Sequence, residues 1–320
     1  MKKQNLSQSP YIGLSSREAF GKVIVELGSE NPNIVALTAD LTNSVKLGDF
    51  KAKFPERFVN FGVAEQNLMG AAAGLILAGK IPFACTYAVF SSMRACEQIR
   101  TDIAYNDLPV RIVSSHGGFS FGIAGATHHA IEDIGINRSI AGMTVLVPAD
   151  SVEAAAIIRA IVDLPGPAYV RLSRVREKTI YTNDFEYKIG KPDLIQEGKD
   201  ILLIATGAQV GESVDASQLL KKAGIDAGVL NVSSIKPIDE MAVVEILKSY
   251  PAAMTIEQHN ILNGLGSTIA EIIAKYNLNI KFLQHGLKDI FTTSGPYREL
   301  LQYYHLDPQG IHDTAVQLLD

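Results

Sequence analysis

Short apolar runs rich in β-branched residues alternate with segments of helical periodicity along most of the chain. Examples of these runs are NIVALTAD (33–40), VRIVSSH (110–116) and ILLIATG (201–207). Buried strands of this composition are typical of parallel sheets that helices cover on both faces. The alternation therefore predicts an α/β fold with mainly parallel sheets.

The same pattern predicts further elements and their division into domains. Strands are expected at 57–61, 81–87, 143–150, 168–174, 226–232, 252–258 and 279–285. Helices are expected at 64–78, from 91, at 129–140, from 152, at 210–223, from 239 and at 267–277. From 175 to 199 the alternation lapses into polar sequence broken by Gly and Pro. We therefore predict α/β domains at 1–178 and 199–320, joined by a linker at 179–198.

Composition narrows the class of protein. The 320 residues are 47% hydrophobic, enough for two cores, and the net charge of -5 gives no basic face for nucleic acid. Two cysteines, Cys85 and Cys96, fit a reducing compartment. The start, MKKQNLSQSP, lacks the apolar stretch of a secretory signal, and no apolar run reaches the about 18 residues of a membrane span. A soluble, cytoplasmic protein is expected.

The stretch FGVAEQNLMGAAAGLILAG (61–79) predicts a helix buried on all sides, yet Glu65 stands at its start. One explanation is capping: with Gly62 as N-cap, Glu65 would be the third helical residue and would bond free amide groups. The other is chemical, because the positions on its side of the helix are apolar. A carboxylate among such residues is partly desolvated and needs a specific hydrogen-bond partner, as acid–base sites provide. Those positions are Leu68, Met69, Ala72 and Ile76.

This stretch, followed by TYAVF (86–90), resembles the thiamine-diphosphate enzymes of the transketolase family, and in particular the C-terminal half of a transketolase. The resemblance extends from SSREAFGKVIVEL to FTTSGPYRELLQYYHLD, nearly the whole chain. It implies a pyrimidine-binding domain of the thiamine-diphosphate-binding fold followed by a transketolase C-terminal domain. It also implies thiamine diphosphate as cofactor.

The resemblance assigns roles around the cofactor. Glu65 would hydrogen-bond a ring nitrogen of the aminopyrimidine, and Tyr87 and Phe90 would pack against that ring. Asp40 matches a position near the cofactor pocket. Met93 stands where many transketolases have a further aromatic residue, so packing against this side of the cofactor ring is expected to be looser.

The segment HGGFSFGIAGATHHAIED (116–133), called the histidine loop below, holds three histidines. A metal cluster is one interpretation, but the spacing is not one that zinc sites use. The resemblance instead matches His116 and His128 to two catalytic histidines that contact substrate oxygens and assist proton transfers, which imidazole suits. His129 has no counterpart in the family pattern.

The resemblance also implies a site for a substrate phosphate. Arg17, Ser44, His116 and Arg174 match the phosphate-binding positions of the family, although single arginines are usually solvated surface residues. Transketolases commonly carry an Asp one residue before the glycine matched by Gly125, and this chain has Ala124 there. That Asp contacts an aldose hydroxyl, so a branched, deoxy or sulfonated sugar is expected in place of the usual one.

The chain contains no Gly-Asp-Gly, the start of the diphosphate and metal signature of these enzymes. We therefore expect the beta-type subunit of a split transketolase, whose partner subunit holds the diphosphate and Mg²⁺ or another divalent cation. A dimer of heterodimers that acts on sugar phosphates would follow. No catalytic residue is assigned to the C-terminal domain, where core or surface roles are expected for His259 and His285.

Three alternatives stay open at this point. The beta subunit of a 2-oxo-acid dehydrogenase decarboxylating component shares the two-domain plan, but TYAVFSSMRACEQIRTDIAYNDLPV (86–110) is closer to transketolase. Deoxyxylulose-phosphate synthase usually is one long chain with an Asp in the histidine loop. A non-catalytic scaffold on the same fold is the third alternative.

Overall fold

The computed structural model describes residues 8–320, which form two sheets flanked by helices. The strands are β1 (Ile34–Thr38), β2 (Phe58–Asn60), β3 (Ile81–Tyr87), β4 (Arg111–Ser115), β5 (Thr144–Leu146), β6 (Ala168–Arg171), β7 (Asp193–Gln196), β8 (Ile201–Ala205), β9 (Ala227–Asn231), β10 (Ser234–Lys236), β11 (Ala252–Asn260) and β12 (Lys281–Leu287). The helices are α1 (Ser16–Glu30), α2 (Gly48–Lys53), α3 (Glu65–Leu77), α4 (Cys96–Gln98), α5 (Asp133–Ser139), α6 (Ser151–Ala160), α7 (Gln209–Lys222), α8 (Glu240–Leu247), α9 (Leu265–Lys275), α10 (Tyr297–Tyr303) and α11 (Pro308–Leu319).

The first sheet has seven strands in the order β10-β5-β6-β4-β3-β1-β2. All neighbours are parallel except β10, which runs antiparallel to β5. Strands β1 and β4 are buried along their whole length, as the β-branched runs predict for a sheet covered on both faces. Helices α1 and α6 pack on one face, and α3 packs on the other.

The second sheet has five strands in the order β12-β11-β8-β9-β7, with β7 antiparallel to β9. Its central strand β8 is wholly buried and packs against α7 and α11. The predicted α/β class with mainly parallel sheets is confirmed. None of the helices described here is both long and apolar enough to cross a membrane.

Two strands lie where the sequence predicts none. Strand β7 falls inside the predicted linker 179–198, where it is a half-buried edge strand. Strand β10 follows β9 in the second half of the chain but joins the first sheet, with Ser234 opposite Leu146. The two halves are therefore connected by sheet pairing as well as by the chain. The domain limits remain a prediction, and residues 1–7 lie outside the described part.

Helix α3 differs from its prediction in two ways. Its N-cap is Ala64, so Glu65 is the first helical residue and not the third. The helix is also not buried on all sides: Leu68, Met69 and Ala72 are buried, but Leu77 is 78% exposed. Hydrophobic composition predicts that a face is apolar, and it does not say which surface covers it.

Candidate functional site

The site lies at one edge of the first sheet. Strands β6, β4, β3 and β1 are neighbours and parallel, so their carboxyl ends meet there. Arg174, His116, Tyr87 and Asp40 lie at or just after these four strand ends. Open α/β sheets bind ligands at this edge because the loops that leave the strands converge on it.

Aromatic rings and imidazoles form the centre of the site. The rings of Tyr87 and Phe90 stack with centroids 5.8 Å apart, and the His116 ring lies 4.0 Å from Tyr87. His128 packs edge-on against Phe90 at 5.3 Å. Phe121 completes the group 5.1 Å from His116. Four residues predicted separately are thus brought together, and Phe121 is an addition that its place in the histidine loop could have suggested.

His116 is buried and has a positive φ of 65°. Its Nδ1 shares a hydrogen bond of 2.7 Å with Oγ of Ser115. Burial, together with the positive charges of Arg17 and Arg174, lowers the pKa of His116 to about 3. The imidazole is therefore neutral near pH 7, and it can accept or donate a proton at one ring nitrogen.

Two arginines lie beside His116. Burial, with the charge of Arg174, lowers the pKa of Arg17, whose Nη1 donates to the carbonyl of Ser44 at 2.9 Å. The guanidinium of Arg174 lies 4.7 Å from the centre of the Phe121 ring. Within residues 8–320 neither arginine forms an ion pair. Two neighbouring cations without a counter-ion favour the binding of an anion.

Glu65 is 1% exposed, and its Oε2 accepts a hydrogen bond of 2.9 Å from Nη1 of Arg94. The same guanidinium lies 4.5 Å from the centre of the Phe90 ring, so it connects the carboxylate to the aromatic group. Oε1 of Glu65 has no hydrogen-bond partner in the described part of the chain. The sequence analysis missed Arg94, whose one signal was a spacing of four from Phe90 on a segment expected to be helical.

Other predicted positions lie at the margin. Asp40 is exposed, and its Oδ1 accepts a hydrogen bond of 3.2 Å from the side chain of Asn60. Ser44 contributes its carbonyl and not its hydroxyl. Met93 is exposed. Ala124 ends a short 3₁₀ turn before Gly125, whose φ is 71°.

The second half of the chain holds the histidine loop in place. Nδ1 of His129 shares a hydrogen bond of 2.6 Å with Oγ1 of Thr292, and the nitrogen of Gly295 donates to the carbonyl of Gly122. The sequence predicted no contact between this half and the site. His129 is buried, which lowers its pKa. It therefore acts as an anchor for the loop.

A buried ion pair fixes the other end of the loop. Nε of Arg171 lies 2.9 Å from Oδ2 of Asp133, which also accepts from the hydroxyl of Tyr169 at 2.6 Å. Nη2 of Arg171 donates to the carbonyls of Ala130 and Gln258, and so bridges the two halves. The pair was not predicted, because its members are far apart in sequence.

Three further points concern histidines and metals. His259 is buried and accepts from the backbone nitrogen of Gly135 at 3.2 Å, and His285 bonds the carbonyl of His305 at 2.7 Å. Both have partners within the chain. No three His, Cys, Asp or Glu side chains in residues 8–320 are grouped so that they could hold a metal ion.

The fold and the site define an α/β protein in which aromatic rings, imidazoles and two arginines meet at one edge of the first sheet. Residues 13–177 match the profile of the transketolase pyrimidine binding domain, and residues 190–311 match that of the transketolase C-terminal domain. The chain therefore belongs to the transketolase family.

Named relatives cover almost the whole chain. It is 35% identical to a protein of Phocaeicola vulgatus named as a subunit of apulose-4-phosphate transketolase, over 96% of this chain and 98% of the relative. It is 37% identical to a 6-deoxy-6-sulfo-D-fructose transketolase subunit of Clostridium sp. strain MSTE9, over 95% and 94%. A solved structure described as a split gene transketolase, inactive beta4 tetramer, is 41% identical, with a TM-score of 0.89 over 96% of this chain and 99% of that one.

Proposed function

We propose that the chain is the beta-type subunit of a split, thiamine-diphosphate-dependent transketolase. It would transfer a two-carbon ketol unit from a ketose phosphate to an aldose or aldose phosphate. The observation that carries the proposal is the convergence of Glu65, the Tyr87–Phe90 rings and two imidazoles at one sheet edge. A scaffold subunit would have no chemical reason to keep these groups together.

The residues present fit the pyrimidine half of thiamine diphosphate. Oε1 of Glu65 is free to bond a ring nitrogen, and Tyr87 and Phe90 offer flat apolar surfaces to the ring. When bound, this cofactor supplies the nucleophilic carbon that breaks and forms the carbon–carbon bond. Glu65 would orient the ring and hold a proton at its nitrogen. Asp40 would lie at the margin of the pocket, because its neighbour Leu41 packs against the aromatic group.

Substrate contacts are proposed for the remaining groups. His116 and His128 would bond substrate oxygens and move protons between them, with His116 in its neutral form. Arg17 and Arg174 would bind a substrate phosphate, helped by His116 and by the turn that contains Ser44. The shared phosphate would explain why two cations stand together without a counter-ion.

The sugar is proposed to differ from the usual pentose phosphates. Ala124 cannot bond a hydroxyl with its side chain, so the site loses one means of selecting stereochemistry. Two relatives support this view, since their names refer to apulose 4-phosphate and to 6-deoxy-6-sulfo-D-fructose. Turnover of xylulose 5-phosphate with ribose 5-phosphate as the best pair would overturn this part of the proposal.

A partner subunit is proposed to hold the diphosphate and the divalent cation, with Mg²⁺ expected. Support comes from the relatives that are named as transketolase subunits. Exposed apolar residues at the two ends of helix α3, Val63 at 74% and Leu77 at 78%, fit a surface that a partner covers. A dimer of heterodimers in the cytoplasm is the assembly we propose.

The proposal is tested by replacing the carboxylate in the assembled enzyme. Glu65→Gln keeps the shape of the side chain and removes its ability to take a proton. We expect ketol transfer to fall by about 100-fold or more, the range for loss of an acid–base group. Glu97→Gln makes the same chemical change at an exposed position and serves as the matched control. Unchanged ketol transfer by Glu65→Gln would favour the scaffold alternative.

A further inference from the structure

Arg94 occupies two of the groups that the proposed function assigns to the cofactor ring, the Glu65 carboxylate and the Phe90 ring. Its Nη1 donates to Glu65 at 2.9 Å, and its guanidinium lies 4.5 Å from the centre of the Phe90 ring. A guanidinium is planar, carries N–H donors on its edge and stacks on aromatic faces. An aminopyrimidine is likewise planar, carries N–H donors on its amino group and stacks on aromatic faces. The side chain therefore resembles the ring in shape and in stacking, and either one can form a hydrogen bond with the Glu65 carboxyl group.

The contact also meets an electrostatic need. Glu65 is 1% exposed, and a buried carboxylate without a partner is strongly destabilising. Arg94 supplies the opposite charge while its own side chain stays 49% exposed. Because the side chain is half exposed and flexible, it can move from this position into water easily.

The backbone around Arg94 is irregular. π-helical turns at Phe90–Arg94 and Ile99–Ala104 flank the short helix α4. Such turns place one extra residue in a helix and are frequent at functional sites. Phe90 and Arg94 begin and end the first of these turns.

We propose that Arg94 is an exchangeable stand-in for the cofactor ring. It neutralises and orients Glu65 while the pyrimidine is absent, and it withdraws when the pyrimidine takes its place. The inference rests on the proposed function, because it assumes that Glu65 and Phe90 receive the ring. It goes beyond the proposed role of Glu65, because it adds a side chain that competes with the pyrimidine for Glu65 and Phe90.

A competing side chain lowers the apparent affinity for the ring. If Arg94 occupies the position about nine-tenths of the time, the apparent Kd is about tenfold higher than the intrinsic value. Removal of the guanidinium should then tighten cofactor binding, although it removes a stabilising contact from the chain. A residue that only supports the site would have the opposite effect on binding.

The test is calorimetric titration of thiamine diphosphate with Mg²⁺ into the complex of the chain with its partner subunit. We expect Arg94→Gln to tighten binding by about 3- to 10-fold. Arg94→Lys keeps the charge but loses the planar fork, so its affinity should lie between the two. Arg100→Gln, which removes the same charge from an exposed site on the same segment, should bind as the unchanged chain does.

The outcomes separate this inference from the proposed function. Unchanged or weaker binding by Arg94→Gln, with normal binding by the unchanged complex, would overturn the inference alone. No binding by the unchanged complex would overturn the proposed function itself. Thermal melting of the lone chain gives a second readout: Arg94→Gln should lower the Tm, and Glu65→Gln in the same chain should recover most of the loss. If the Tm losses of the two single variants simply added in the double variant, the two side chains would not interact. That result would also overturn the inference.

Discussion

Arg174→Gln is the perturbation that most directly examines the proposed phosphate site. Arg174 lies against Phe121 and lowers the pKa values of Arg17 and His116. It has no ion-pair partner in residues 8–320, so the change leaves no carboxylate unpaired. The loss should therefore appear in substrate binding rather than in folding.

The size of the loss follows from the contact that would be removed. A hydrogen bond to a charged group contributes about 1.5–3 kcal/mol. Because about 1.4 kcal/mol is a factor of ten, kcat/KM for a phosphorylated substrate should fall by about 10- to 150-fold. Arg17, the second proposed phosphate ligand, is still present in this variant, so the lower half of that range is expected. The pKa of His116 should rise, and only in part, because burial is the larger cause of its low value.

The assay compares kcat/KM for a phosphorylated substrate and for the same sugar without phosphate, in the assembled enzyme. Arg174→Gln should slow the first and leave the second nearly unchanged. Arg176→Gln, an exposed position two residues further on, is the matched control. Equal losses for both substrates, or no loss for either, would refute the phosphate assignment.

Three further predictions concern the groups around the site. The pKa of His116 in the folded chain is about 3, below its ordinary value of 6.5. As the pH falls, the unfolded chain therefore takes up this proton before the folded chain does. The free energy of unfolding should decrease as the pH drops from about 6.5 toward 3. Urea unfolding of His116→Gln should show a weaker dependence of the free energy of unfolding on pH in this range. An unchanged dependence would contradict the assignment of this effect to His116. Asp133→Ala leaves the Arg171 guanidinium buried without its partner and should reduce the free energy of unfolding by about 3–5 kcal/mol; a urea-measured loss below about 1 kcal/mol would show that the pair is not required. Thr292→Val removes the hydroxyl that bonds His129 and should reduce the free energy of unfolding by about 1 kcal/mol. Thr292→Ser keeps a hydroxyl and should keep the original stability. Failure of Ser to restore stability would point to lost packing instead.

The sequence predicted ten of the twelve strands described, and it missed β7 and β10. Tyr87, His116 and Arg174 could be placed together because parallel strands put their carboxyl ends at one edge whatever the side chains are. The burial of Glu65 was also predictable, since the apolar residues Leu68 and Met69 share its side of the helix. These features depend on local periodicity and on topology.

The remaining features depend on contacts between distant parts of the chain. The pairing of β10 with β5 and the bond between Thr292 and His129 join the second half to the first. Nothing in the local pattern of either segment specifies its partner. Arg94 was missed because its bond to Glu65 joins residues 29 apart in sequence, although its spacing of four from Phe90 is that of an ordinary helix.

The central claim is that this chain holds only the pyrimidine half of a shared cofactor site. Calorimetric titration of thiamine diphosphate with Mg²⁺ tests it most directly, first into the chain alone and then into the chain with its partner subunit. A shared site predicts tight binding in the mixture only. Tight binding by the lone chain would contradict it, because the diphosphate and metal would then be held by this chain itself.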